Sequence, residues 1–131
     1  MPIELEVEEK YRFAARCREH KVVIDQPVKE GGTDQGMDPV ELFLSSMAGC
    51  VAYYAVNYLE RKKMPVQGLR VTTNWEMEKK PYRIGRIRMK VHLPKGFPTE
   101  QQDALLAVCR GCTIHHTLTN VPALDYELGE T

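Results

Sequence analysis

Residues 37–50 read MDPVELFLSSMAGC. Asp38 suits a helix N-cap and Pro39 the first helical position. Glu41 falls three residues after the cap, where its side chain can reach back to the cap's own N–H. The helix opened here is expected to run to about Lys62, with Met64-Pro65 as its stop. From Leu42 to Leu59 it carries no charged side chain, and its first four turns are apolar almost all round, the mark of an element packed on every side. Cys50 stands in the middle of that segment. A free cysteine packs as a small hydrophobe, but it is also a nucleophile whose reactivity is set by what surrounds it.

Leu42–Leu59 just reaches the length of a membrane span. Ser45, Ser46, Gly49, Cys50, Asn57 and the three tyrosines Tyr53, Tyr54 and Tyr58 dilute it, and no flanking charge asymmetry favours insertion. A buried central helix is the reading, with no membrane partner. A single chain of 131 residues has little to cover such a helix, so a second copy is expected to supply the missing surface.

Before the helix the chain alternates with period two. Ile3, Leu5 and Val7 oppose Glu4, Glu6 and Glu8, and Tyr11, Phe13 and Ala15 repeat the pattern. A turn near Arg18-Glu19-His20 leads to a second strand, Lys21–Asp25, and KEGGTDQG is a loop. After the helix, Leu69–Glu78 and Ile84–Leu93 alternate as two antiparallel strands with one wet face. Thr99 with Gln102 forms a second capping box, opening a helix through Ala104–Val108. Gly111 interrupts it, a short helix follows from Cys112, and Ala123–Leu128 reads as a closing edge strand. The order β-β-α-β-β-α-(α)-β is an α+β fold, expected to form one domain over residues 1–131.

Eighteen basic and eighteen acidic side chains cancel, with no polybasic run, which excludes a nucleic-acid partner. The acidic, alternating start MPIELEVEEK is no signal peptide, so a cytoplasmic location is expected, where thiols stay reduced unless they are catalytic or redox-sensing. The four cysteines, Cys17, Cys50, Cys109 and Cys112, then point to thiol chemistry, metal or core. Cys109-Arg110-Gly111-Cys112 is a CxxC followed by His115 and His116. These four crowd into a turn or two with no second ligand pair elsewhere, so no metal and no cofactor is expected. A thioredoxin-type CxxC opens a helix after a strand, whereas this one closes a helix.

The stretch Pro39–Cys50, P-V-E-L-F-L-S-S-M-A-G-C, resembles the P-x-E-L-(L/F)-x-x-(A/S)-x-(A/G)-(A/G)-C signature of the OsmC-like proteins, the osmotically inducible and organic-hydroperoxide-resistance thiol peroxidases. Cys112–Leu118, C-T-I-H-H-T-L, is similar to the family's second motif, a cysteine followed by P-V-S-x-x-L. The resemblance extends along the whole chain, including the GG-x-D-x-G loop, and is nearest the short YhfA-like branch. It implies antiparallel sheets wrapped around a central cysteine-bearing helix in an intertwined homodimer. It also implies a two-cysteine reduction of organic hydroperoxides in oxidative stress defence. Cys50 would be the peroxidatic thiolate and Cys112 the thiol that condenses with its sulfenic acid. An external dithiol, a lipoylated protein being one candidate, would reduce the disulfide.

The family's activating arginine comes from the N-terminal strands, which leaves Arg16 and Arg18 as candidates. Its supporting glutamate falls at Val40 here, a departure from the pattern, and His115 stands where the family often has serine. Met47, Tyr53, Tyr54 and His115 are expected to line the substrate pocket, and Trp75 to lie in the core or pocket wall. Cys109 is read as a plain helix residue and Cys17 as a strand position with no role, His20 and His92 as exposed. The rival reading is a non-catalytic binding protein of the same fold, with an apolar pocket beside Cys50 for an acyl or aromatic ligand. A third is metal capture by Cys109, Cys112, His115 and His116.

Overall fold

The computed structural model describes residues 2–130. The chain divides into two compact units, Met1–Ser46 and Met47–Thr131, and one long helix passes from the first into the second.

The first unit is a three-stranded antiparallel sheet in the order β1-β2-β3, with β1 at Glu4–Glu9, β2 at Arg12–Cys17 and β3 at His20–Ile24. The long N-terminal alternation is therefore two strands, where the sequence suggested one run before the turn at Arg18. A tight turn at Lys10-Tyr11 sets Glu9 opposite Arg12, with Lys10 in the left-handed region at φ 52°. Alternation alone misses this turn, because a two-residue connection leaves the period-two pattern in phase on both sides. Every residue of β1 is exposed.

Beyond β3 the loop is organised by Asp25, which is fully buried. Its Oδ1 accepts from the N–H of Gln26 (2.8 Å) and of Thr33 (3.2 Å), and its Oδ2 from the Thr33 hydroxyl and from the N–H of Gln35 (3.1 Å). A side chain at Gly32 would collide with the carbonyl of Gln26, and one at Gly36 with that of Val23, so the loop can close over the carboxylate only with glycine at both places.

The helix α1 spans Pro39–Arg61. Its start is the reciprocal box the sequence indicates: Glu41 N–H donates to Asp38 Oδ1 (2.8 Å), and Asp38 N–H to Glu41 Oε1 (3.0 Å). Its end wraps up through a left-handed Lys63 (φ 55°), with Met64 N–H on the Leu59 carbonyl (2.8 Å) and Lys63 N–H on that of Glu60 (3.0 Å). This is a Schellman closure, and Pro65 follows it. By length and composition α1 could cross a membrane, with mean hydropathy 1.3 over its most apolar stretch, and only 17% of that stretch is buried in the single chain. Leu44, Met47, Val51, Ala55, Tyr58 and Leu59 are its buried residues, while Ser45, Gly49, Tyr53 and Glu60 are exposed.

In the second unit β4 (Arg70–Glu78) pairs antiparallel with β5 (Arg83–His92), Trp75 opposite Ile87. α2 spans Gln102–Cys109 and α3 Thr113–Thr119. The capping box expected at Thr99 and Gln102 does not form. A 3-10 turn, Thr99–Gln101, occupies that position after Pro98, and the N-cap residue Gln101 turns its side-chain oxygen to the Tyr58 hydroxyl (2.8 Å). The edge strand expected at Ala123–Leu128 is likewise not there. Among the described residues that segment has no ladder partner, and Leu124, Tyr126 and Leu128 are exposed, because alternation assigns a face while a strand exists only through the hydrogen bonds of a neighbour. Trp75, expected inside, is 40% exposed, and His92, expected exposed, is partly buried with Nε2 2.8 Å from the Thr72 hydroxyl. Burial first, then Arg70 and Lys90, lowers the His92 pKa below its ordinary 6.5.

Candidate functional site

The core of the second unit gathers Val51, Ala55 and Tyr58 from α1, Leu105 and Cys109 from α2, and Cys112 from the bend before α3. Cys50 and Tyr54 of α1, Val71 of β4, Met89 and Val91 of β5, and Ile114 of α3 pack against that cluster. Spacing explains the contribution of α1: positions 47, 50, 51, 54, 55 and 58 recur at three- and four-residue steps and share one side of the helix. Three thiols, Cys50, Cys109 and Cys112, thus meet in one apolar cluster, and all are free. The family resemblance pairs Cys50 with Cys112; Cys109, read as a plain helix residue, is the addition.

Cys112 is completely buried. It is the N-cap of α3, and its sulfur accepts from the N–H of His115 at 3.2 Å. Burial, first, and the neighbouring Cys50 push its pKa up from 9.0, against which the N–H groups of His115 and Ile114 act to lower it. The net effect is a thiol that stays protonated at neutral pH. Cys109 is buried too, with its sulfur directed at the carbonyl of Val51 (3.9 Å), the residue that follows Cys50. Burial and the neighbouring Cys112 raise its pKa, and the Arg110 guanidinium opposes them. Arg110 lies inside the CxxC itself, next in the chain to Cys109.

Of the expected pocket residues, Tyr54 packs on the thiol cluster and Met47 is buried on α1. His115 is half-buried and meets Cys112 through its backbone, while its ring packs edge-on to that of His116 at 6.0 Å. Tyr53 is 65% exposed and touches the ring of Tyr54 edge-on (5.2 Å). In the first unit Arg16 is exposed on β2, opposite Glu4 and Lys21, and Arg18 occupies the β2–β3 turn at φ 54°. Neither forms an ion pair among the described residues, whereas Arg12 is held by Glu8 (3.3 Å), Glu9 (3.3 Å) and the Thr33 hydroxyl (3.2 Å). Val40 is half-buried in the first turn of α1. Among the described residues no group of three His, Cys, Asp or Glu side chains could hold a metal ion.

The OsmC-like protein family model matches residues 32–127. A search of curated proteins finds no significant match. Solved structures of similar fold include a protein of Psychrobacter arcticus assigned to osmotic stress induction and the detoxification response, with TM-score 0.80, 14% identity, and 88% of this chain and 85% of that one covered. An OsmC-like protein from Mycoplasma pneumoniae superposes with TM-score 0.73 at 20% identity, covering 92% of this chain and 87% of that one. An organic hydroperoxide resistance protein OsmC from Legionella pneumophila gives 0.66 at 16% identity, covering 89% and 87%. At these identities the superpositions speak for the fold, and the family model, which spans well over half of the sequence, speaks for descent: the chain belongs to the OsmC-like protein family.

Proposed function

We propose that this protein reduces organic hydroperoxides through Cys50 and Cys112. The observation that carries the reading is that Cys50, from the middle of α1, packs against the one apolar cluster in which Cys112 is fully buried. The Cys50 thiolate attacks the distal oxygen of the hydroperoxide, the S–O bond forms as the O–O bond breaks, and the alkoxide leaves with a proton as the alcohol. The sulfenic acid at Cys50 then condenses with the Cys112 thiol, releasing water and leaving a disulfide. A Cys112 that stays protonated suits this second role, since it does not compete for peroxide. A dithiol reductant from outside the chain returns the pair to thiols.

An apolar cluster favours hydroperoxides with greasy substituents over hydrogen peroxide, and Tyr54 and Met47 are the side chains assigned to meet that substituent. A buried thiolate needs a cation to offset its desolvation. Arg16 and Arg18, which have no ion-pair partner among the described residues, are the candidates for that role. The active form is a homodimer in the cytoplasm, its second copy covering the exposed face of α1.

Reduced protein treated with one equivalent of cumene hydroperoxide should consume it and form Cys50–Cys112 as its first disulfide. Cys50→Ser should abolish consumption. Cys112→Ser should leave a sulfenic acid at Cys50 that a dimedone-type reagent traps and that excess peroxide over-oxidises. Tight binding of an apolar ligand without any consumption would instead assign the protein to the binding class.

A further inference from the structure

We propose that Cys109 is a second resolving thiol, which takes the disulfide over from Cys50 and moves it into the Cys109–Cys112 bend. The inference rests on the two-cysteine reading above. Three features support it. Cys109 and Cys112 belong to one buried cluster, and Cys50 packs on the same cluster. The Cys109 sulfur points at the carbonyl of Val51, so it lies against the turn of α1 that carries Cys50. Between the two CxxC sulfurs the chain bends sharply, Gly111 N–H closing on the carbonyl of Val108 at 3.0 Å, and the bend residues Arg110 and Gly111 are exposed.

The exchange conserves electrons and needs no further oxidant. The Cys109 thiolate attacks the Cys112 sulfur of the Cys50–Cys112 disulfide. The Cys109–Cys112 bond forms, the Cys50–Cys112 bond breaks, and Cys50 leaves as a thiolate, so that the proton given up by Cys109 balances the one Cys50 can take. The Arg110 guanidinium beside Cys109 favours the attacking thiolate against the burial that opposes it. The oxidising equivalent of the first hydroperoxide then lies in a bend with an exposed outer side, where a dithiol can approach. Cys50 is again free for a second hydroperoxide.

Trypsin separates the three sulfurs, because Cys50 falls on residues 30–61, Cys109 on 96–110 and Cys112 on 111–131. Reduced wild-type protein is treated with one equivalent of cumene hydroperoxide, without reductant, and its free thiols are alkylated at successive times before digestion. The expected course is an early 30–61/111–131 cross-link that gives way to 96–110/111–131 as the majority species, with Cys50 becoming alkylatable again. Cys109→Ser and Cys109→Ala should both stop at the first cross-link. With two equivalents the wild type should carry a dimedone-trappable sulfenic acid at Cys50 beside the bend disulfide, and neither variant should. A wild type that keeps only the 30–61/111–131 cross-link, with Cys109 fully alkylated, overturns the exchange and leaves the two-cysteine reading standing. A wild type that forms 96–110/111–131, beside variants that form no cross-link, overturns both, since the CxxC would then react without Cys50. No cross-link in any protein overturns the two-cysteine reading and the exchange with it.

Discussion

The sulfur of Cys112 accepts the backbone N–H of His115 and thereby caps α3, so one atom serves both the fold and the proposed chemistry. The two roles separate by substitution. Serine is a better N-cap than cysteine, and its hydroxyl can take the same N–H, whereas alanine leaves that donor without a partner. Cys112→Ser should therefore stay close to the wild type in thermal stability, and Cys112→Ala should lose about 1 kcal/mol, the usual worth of a cap. Both should fail to form the disulfide. Denaturant melts of the two variants, run beside thiol counting after peroxide treatment, check this; equal melts would deny the cap its structural role.

Asp25 makes a prediction about acid. Burial alone would raise its pKa, but the Thr33 hydroxyl and the N–H groups of Gln26, Gln35 and Thr33 outweigh it and hold the carboxyl well below its ordinary 3.8. A group whose folded pKa is depressed contributes stability that is full above the unfolded value and is lost as pH falls through the folded one. The wild type should thus lose stability steadily as the pH drops below about 4, where unfolded aspartates take up protons. Both oxygens face two donors each, so Asp25→Asn sets an NH2 against a pair of donors whichever way the amide turns. That variant should melt several degrees lower than the wild type at pH 7, with the gap narrowing on acidification. A constant gap from pH 7 to pH 3 would mean the charge is not what stabilises the loop.

The sequence makes some of this plain and hides the rest for physical reasons. The start of α1 is legible because a capping box is a local device, made between Asp38 and Glu41 within one turn. The motif at Thr99 fails because Thr99 lies in a 3-10 turn and the N-cap of α2 falls at Gln101, whose side chain answers to Tyr58, 43 positions away in the chain. Cys50 and Cys112 could be singled out through their motifs. The CxxC already sets Cys109 near Cys112, but that Cys109 also lies against the turn of α1 that carries Cys50 follows only from how α2 lies on α1. Asp25 carried a faint signal, an acidic residue at the end of an apolar strand and ahead of a glycine-rich loop. Its burial depends on Gly32 and Gly36 letting the backbone close over it.

The exposed face of α1 yields the last prediction, and Gly49 is its most sensitive position. In the single chain a Cβ at Gly49 would meet nothing within 4 Å. An open concavity of about 480 Å³ continues along the same helix past Ala52, Tyr53 and Val56 to Glu60. If the chain acted alone, replacing this mid-helix glycine by alanine would stabilise it by about 0.5–1 kcal/mol, through the smaller entropy of the unfolded chain. Leucine would be nearly as good, since its side chain would enter open space. If the second copy covers this face with its own α1, glycine marks where the backbones approach, and the order reverses. Gly49→Ala should then weaken the dimer, and Gly49→Leu should give largely monomeric protein that keeps its helix content but unfolds more readily. Wild-type unfolding should depend on protein concentration, and that of Gly49→Leu should not. Light scattering and denaturant melts at two concentrations decide the matter: a Gly49→Leu protein that is both more stable than the wild type and unchanged in mass would place the second copy elsewhere or remove it altogether.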